Sequence, residues 1–375
     1  MNDAVLTMTP AGTPAGTPAA DAATARWGDG WWLAALALPA IRFTQGFIFW
    51  GGGSRRLIYA PQKLDPHAAS WMANKFQSAM PGALFGTDHV IAFLLQHFYL
   101  LYASIILFSV AELVFGLLLM LGVFSRLSAL VTIGFSLLLM PMYGWQGATC
   151  IDEWTMAAAN FAMGTTLLLA GGGAWSVDRV LLRRTGLGAR AWFRWAGGAT
   201  PLPLSARAME RAGLGALLFT IVFVVGFYNY YRGAVLTPFH GGPVSAAAHH
   251  VGLSQARLSP DGTVRVRAYL DGGTPAVPAH IVAATLTDAK GAVVERWDMH
   301  ALASLSPAAI ANVFAYQRFR TGPYGLIAPV GAMADITLPP EPAAPGALAV
   351  GSYRLVFGNV SGRRFSVAVR LPAGG

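Results

Sequence analysis

Charge and sulfur are what this chain has least of. Only 11% of its 375 residues are Asp, Glu, Lys or Arg, where a soluble globular protein carries about a quarter. That scarcity excludes an ordinary soluble domain. One cysteine, Cys150, excludes an internal disulfide framework and any Cys-x-x-Cys or Cys-x-x-Cys-His site. Haem held through thioethers, an iron–sulfur cluster and structural zinc are therefore not expected. No basic segment leads into a short apolar core and cleavage site near the start, so no signal peptide is expected. Acids are outnumbered, 17 against 26 basic residues. The excess is not spread along a basic helix or patch, which argues against nucleic acid. What is present in abundance is apolar: 55% of the residues, with a mean hydropathy of +0.50. This is a membrane protein composition.

Four or five segments are long enough to cross a bilayer, which takes about 20 apolar residues. They fall at about 31–50, 98–123, 127–144, 153–172 and 213–231. Residues 1–30, rich in Thr, Pro and Ala, read as a disordered leader. A polar loop of nearly fifty residues separates the first two spans, and within it "HAASWMANKFQSAM" has the pattern of an interfacial helix. Orientation follows the positive charge. Residues 173–212 carry Arg179, Arg183, Arg184, Arg190, Arg194, Arg207 and Arg211 against Asp178 and Glu210, so this connection is expected inside, with Arg126 on the same side. The N-terminus is then inside, and the long loop, Gly147–Glu153 and everything after Tyr231 are outside. From about 250 the texture changes to short alternating runs, such as Val264, Val266, Ala268 and Leu270 in "TVRVRAYL". Seven or eight such strands predict an all-β sandwich of roughly 125 residues. The expected organisation is a membrane domain over 31–185, a basic linker over 186–212, a fifth transmembrane helix over 213–231 and an exported sandwich over 232–375.

Several stretches resemble one family. "AELVFGLLLMLGVFSRLSAL", residues 111–130, is similar to the second-helix signature of the DoxX/DoxD superfamily of four-helix membrane proteins. "IRFTQGFIFWGGGSRRL", 41–57, is similar to its first-helix pattern, and "GWQGATCIDEWTMAAANF", 144–161, to the DoxD branch. The tail resembles DoxA in order and position. The resemblance implies a DoxD–DoxA fusion with a four-helix core, a fifth helix and a sandwich. It also implies thiosulfate:quinone oxidoreductase activity, in which two thiosulfates become tetrathionate and quinone takes two electrons, at a bacterial plasma membrane with a periplasmic site.

The candidate residues follow. Cys150 stands just before the fourth span, where a helix N-terminus lowers a thiol's pKa while Asp152 and Glu153 oppose it. It is either a small packed hydrophobe or, on the family reading, the acceptor of thiosulfate as a cysteinyl thiosulfonate, with the two acids passing protons. Arg55, Arg56, Lys63 and Lys75 lie in or next to the outer loop, either anchoring lipid headgroups or holding the thiosulfate dianion. Arg42 and Glu112 are charges inside the hydrocarbon, expected to pair. That pair either locks two helices or lines a pocket for quinone and protons. Trp50, Tyr99, Tyr102, Tyr143, Trp145 and Trp154 read as an interfacial belt, with Trp145 and Trp154 candidates to stack on a quinone ring. His67, His89 and His97 could relay protons but match no metal site, and His240, His249 and His250 read as solvated loop. "GGGS" and "GGGA" lack the strand–helix setting of a nucleotide loop and read as helix ends. Quinone is the only electron acceptor expected, with thiosulfate, lipid and a possible second copy as partners. The competing readings are a non-catalytic membrane subunit with a partner-binding sandwich and, behind it, a transporter.

Overall fold

The computed structural model describes residues 18–146, 153–233, 236, 248–340 and 348–372, with side chains described from residue 33. Helix α1 (Pro18–Ser54) starts well before the expected first span, because the alanines after Pro18 favour helix. The part of the expected leader from Pro18 onward is therefore helical, and residues 1–17 lie outside the described residues. At its other end α1 runs into a π-helical turn, Arg55–Tyr59, closed by Ala60 N donating to Arg55 O at 2.7 Å. Two short helices follow in the loop, α2 (Met72–Ala79) and α3 (Thr87–Gln96). Then come α4 (Phe98–Leu121), α5 (Ser125–Tyr143), α6 (Glu153–Ala170), the short α7 (Val177–Arg184) and α8 (Ala191–Ala196), and α9 (Ala206–Arg232).

Among the described residues, four helical segments are long and apolar enough to cross a membrane: Leu33–Tyr59, α4, α5 and α9. The remaining expected span, α6, is 18 residues long and more polar, with Glu153, Asn160 and three threonines. It buries Ala157, Asn160, Phe161, Gly164 and Leu167 along one face, as a helix shielded by its neighbours should. Helices α1 and α4 run antiparallel with their backbones in close approach. A Cβ on Gly116 would come 2.3 Å from Trp50 N, and one on Gly53 2.5 Å from Leu113 N. Small residues allow this closeness, and dispersion then holds the pair. Helix α9 docks lightly. Phe219 and Phe223 pack on Phe161, and Phe223 alone is buried.

One end of the bundle gathers the arginine-rich connections and the other carries the β domain. At the arginine-rich end, buried Asp178 accepts from Phe124 N (2.8 Å), Ser125 N and Oγ (2.9 Å each) and Gly198 N (2.8 Å). Arg126, also buried, donates to the carbonyls of Leu168, Arg194, Gly197 and Thr200 at 2.6–3.0 Å. This knot satisfies backbone groups that the helix ends leave open.

Among the described residues the β domain has ten strands: β1 (His250–Leu258), β2 (Val264–Gly272), β3 (Ala279–Thr287), β4 (Val293–Trp297), β5 (Ile310–Asn312), β6 (Arg320–Gly322), β7 (Gly325–Ala328), β8 (Met333–Leu338), β9 (Gly351–Asn359) and β10 (Arg364–Leu371). They form two antiparallel sheets, β1-β2-β8-β5 and β10-β9-β3-β7-β6, with β4 also on β3. Val264, Val266, Ala268 and Leu270 of β2 bury in one core with Leu286, Leu355 and Phe357 from the other sheet. The strands beyond seven or eight are the three- and four-residue β5, β6 and β7. Runs that short cannot display an alternation to read.

The sandwich sits on α2. Gln77 is fully buried. Its Nε2 donates to Gln317 O (2.7 Å) and Gly331 O (2.9 Å), and its Oε1 accepts from Gln317 N (2.8 Å). Trp71 packs against Tyr316 with ring centroids 6.4 Å apart.

Candidate functional site

At the sandwich end, the π turn after α1 carries Arg55 and Arg56. A π turn is uncommon and often marks a functional position. Here it continues the helix to Tyr59, which keeps Arg56 on the side of α4. Arg56 Nε donates to Ser109 Oγ at 2.8 Å, and its Nη2 forms an ion pair with Glu112 Oε2. Ser109 and Glu112, three apart on α4, share one helix face. Gly52 leaves room for this pair, since a Cβ there would lie 2.7 Å from Glu112 Oε2. Lys63 sits in a 3-10 turn, Pro61–Leu64. Burial, and then repulsion from Arg55, Lys75 and Arg56, hold its ammonium below the usual lysine value. Lys75, on α2, bonds Glu153 Oε1 at 2.6 Å and lies 5.3 Å from the Tyr143 ring centroid.

The structure thus brings Arg55, Arg56 and Lys75 within electrostatic range of Lys63. Glu112 and Glu153 neutralise two of the four cations. Among the described residues, Arg55 and Lys63 have no carboxylate partner. A site with excess positive charge, half-exposed at Lys75 and backed by a buried aromatic, suits a small anion. Cys150 and Asp152 lie outside the described residues, on the stretch between Gln146 and Glu153.

Arg42 does not pair with Glu112. It donates to Gly172 O (2.5 Å) and Trp175 O (3.2 Å), at the arginine-rich end. The reason is helix length. The first helix extends past residue 50 to Ser54 and on through the π turn, so Arg42 lies about fourteen residues, roughly 21 Å of helix, from Arg56. Arg56 is the residue at the level of Glu112. Arg42 is a buried staple of the turn after α6, where "GGGA" does end the helix; "GGGS" does not, because it lies inside a helix that packing on α4 carries on through the π turn to Tyr59.

Trp145 is buried in the sandwich core, and its Nε1 donates to Ala79 O at 2.9 Å. Trp154 stands edge-on to Tyr228 at 4.9 Å, its Nε1 buried without a partner among the described residues. His97 is exposed and bonds Phe93 O through Nδ1 at 2.7 Å. His67 and His89 are exposed as well. His250 is not solvated loop. It begins β1, and its Nδ1 bonds Asp271 Oδ1 at 2.5 Å, because it opens a strand whose neighbour β2 presents that acid. His249 Nε2 bonds Val277 O at 2.8 Å, and His240 lies outside the described residues.

Sequence reasoning missed Ser109, Gln77 and a buried amide cluster in the bundle. Gln45 Nε2 donates to Asn160 O (2.7 Å) and Thr132 Oγ1 (3.1 Å), while Gln45 Oε1 and Asn160 Oδ1 have no partner among the described residues. The available signal was the presence of Gln45 and Asn160 within apolar runs.

Residues 37–202 match the family described as TQO small subunit DoxD, and residues 247–367 match TQO small subunit DoxA. The first match covers the bundle through α8, and the second covers the sandwich almost entirely. Among solved structures, a chain of the Iho670 flagellar-like filament aligns with 44% of this chain and 100% of its own. It does so at 11% identity and a TM-score of 0.21, which carries no argument about fold or function.

Proposed function

From a chain that joins a DoxD domain to a DoxA domain, both of thiosulfate:quinone oxidoreductase small-subunit families, we propose an enzyme that oxidises thiosulfate to tetrathionate at its sandwich end and reduces quinone. The observation that carries this reading is the cation cluster. Thiosulfate is a dianion, and two must approach one another. Arg55, Arg56, Lys63 and Lys75, of which Glu112 and Glu153 pair with two among the described residues, offset that repulsion. Ion pairs formed with Glu112 and Glu153 hold two of the cations in place before substrate arrives, so less ordering is needed on binding.

Cys150 supplies the covalent step. Its thiolate and the outer sulfur of one thiosulfate form an S–S bond, giving a cysteinyl thiosulfonate and releasing two electrons, which quinone accepts with two protons. A second thiosulfate attacks the sulfane sulfur and displaces the Cys150 thiolate, releasing tetrathionate. Glu153 and Asp152, next to Cys150 in sequence, and Glu112 on α4 are the acids that carry the protons. Quinone reaches the site from the bilayer, into which α4 and α9 expose apolar side chains. The charge count supports an orientation with the arginine-rich end in the cytoplasm and the sandwich outside a bacterial plasma membrane.

The purified full chain, given thiosulfate and a soluble quinone analogue with no other subunit, is expected to produce quinol and tetrathionate in equal amounts. A spectrum of the same preparation tests for a bound chromophore. If quinol appears only when a further protein is added, the chain is a membrane subunit whose sandwich binds that protein.

A further inference from the structure

Helix α2 has only eight residues and no side-chain N-cap, and an isolated helix so short does not persist in water. It is held from two sides. From the sandwich come the three hydrogen bonds of Gln77 to Gln317 and Gly331, together with Gln317 Nε2 donating to Asn74 O at 3.3 Å. From the segment that leaves α5 come Trp145 Nε1 on Ala79 O and Gln146 Nε2 on Ser78 O, at 2.9 and 2.5 Å. The contact on the sandwich side is close. Gly331 has φ +86°, and a Cβ there would lie 2.1 Å from Gln77 O. Lys75 is two residues from Gln77 on this helix, and its ammonium meets Glu153 at 2.6 Å. Trp145 belongs to the sandwich core, and the chain leaves Gln146 directly into the stretch that holds Cys150.

We propose that the sandwich is a positioning domain: its grip on Gln77 sets α2, and through α2 it holds Lys75 at the anion site. Gln77 is then a positioning residue, acting on thiosulfate only through Lys75. The inference rests on the reading of that cluster as the thiosulfate site. It accounts for a domain that contributes none of the four cations and yet docks on the helix that carries one. The amide is suited to the task because every polar atom it has is engaged across the junction, so a shift of the sandwich leaves buried groups unpaired.

The test uses the full chain in detergent or nanodiscs. Gln77→Leu removes the three hydrogen bonds, and Gly331→Ala pushes on the α2 backbone at Gln77 from the sandwich side without changing any residue of α2. Gln77→Asn, which keeps the amide, serves if the leucine variant does not accumulate. Each is expected to raise the KM for thiosulfate about tenfold, as a small misplacement of a binding group does, with the KM for quinone unchanged. In a Lys75→Met background, Gln77→Leu should add nothing further, since the two act on one contact. Acylation of Lys75, read by mass spectrometry against exposed Lys290, should speed up in each variant. Equal changes in both KM values, additivity with Lys75→Met, or unchanged Lys75 acylation would overturn the proposal. Should the wild type reduce no quinone with thiosulfate, the functional reading fails, while the acylation rates still decide the positioning.

Discussion

Arg56 and Glu112 share a site only partly open to water, and removing one leaves the other uncompensated. Glu112→Gln should destabilise the folded chain by about 3 kcal/mol, the order seen when a buried pair is broken. It should also weaken thiosulfate-dependent quinone reduction. Adding Arg56→Met removes the orphan charge, so thermal melting should recover further than turnover. Equal recovery of both would reduce the pair to a helix lock. Lys63 gives a pH signature. Its folded pKa is depressed, first by burial and then by Arg55, Lys75 and Arg56, so the folded site loses this proton more readily than the unfolded chain does. Stability from this group therefore grows as pH rises through the depressed value towards the ordinary one. Anion binding has the opposite sign, because it favours the ammonium. The KM for thiosulfate should rise with pH before the ordinary lysine range is reached, and Lys63→Arg should flatten that rise. For the cysteine, Cys150→Ser should insert and fold but yield no tetrathionate. Wild-type protein given thiosulfate and oxidised quinone should carry a thiosulfonate on Cys150 by mass spectrometry. Near-normal turnover in the serine variant would leave the cations alone to hold two thiosulfates against the quinone.

Among the elements, the knot at the arginine-rich end ties together the α4–α5 turn, the turn after α6, and α8. Asp178→Asn keeps the shape but aims an NH2 at backbone donors and removes the negative charge near Arg126 and Arg42. A cost of about 3 kcal/mol is expected, as for breaking a buried charged network, read as a lower melting temperature with the KM for thiosulfate unchanged. A shift in that KM would show that the two ends of the bundle communicate. Much of the element pattern was legible beforehand. The period-2 run of β2 reads directly from Val264 to Leu270, and the apolar lengths of α4, α5 and α9 need no tertiary information. Helix ends were less legible. Nothing in "GGGSRRLIY" distinguishes a chain that leaves the membrane at Trp50 from one that stays helical to Tyr59, since glycine penalises helix locally while packing against α4 stabilises it.

For the whole molecule, orientation is the claim on which the rest depends. An impermeant thiol reagent applied to spheroplasts should label Cys150 if it is accessible, and labelling that requires an opened inner membrane would reverse the topology. The sequence by itself determined the membrane class, the order of bundle and sandwich, and the stretch from Arg55 to Lys75 that carries the four cations. Composition, apolar length and alternation are local sums along the chain, and they survive an error of a few residues. Only the tertiary structure decided that Arg56 rather than Arg42 meets Glu112, that Trp145 packs into the sandwich, and that Gln77 joins the two modules. Those pairings depend on where each helix stops and how it is turned. Each residue of helix advances about 1.5 Å and rotates about 100°, so an end misplaced by a few residues brings a different side chain to the same partner.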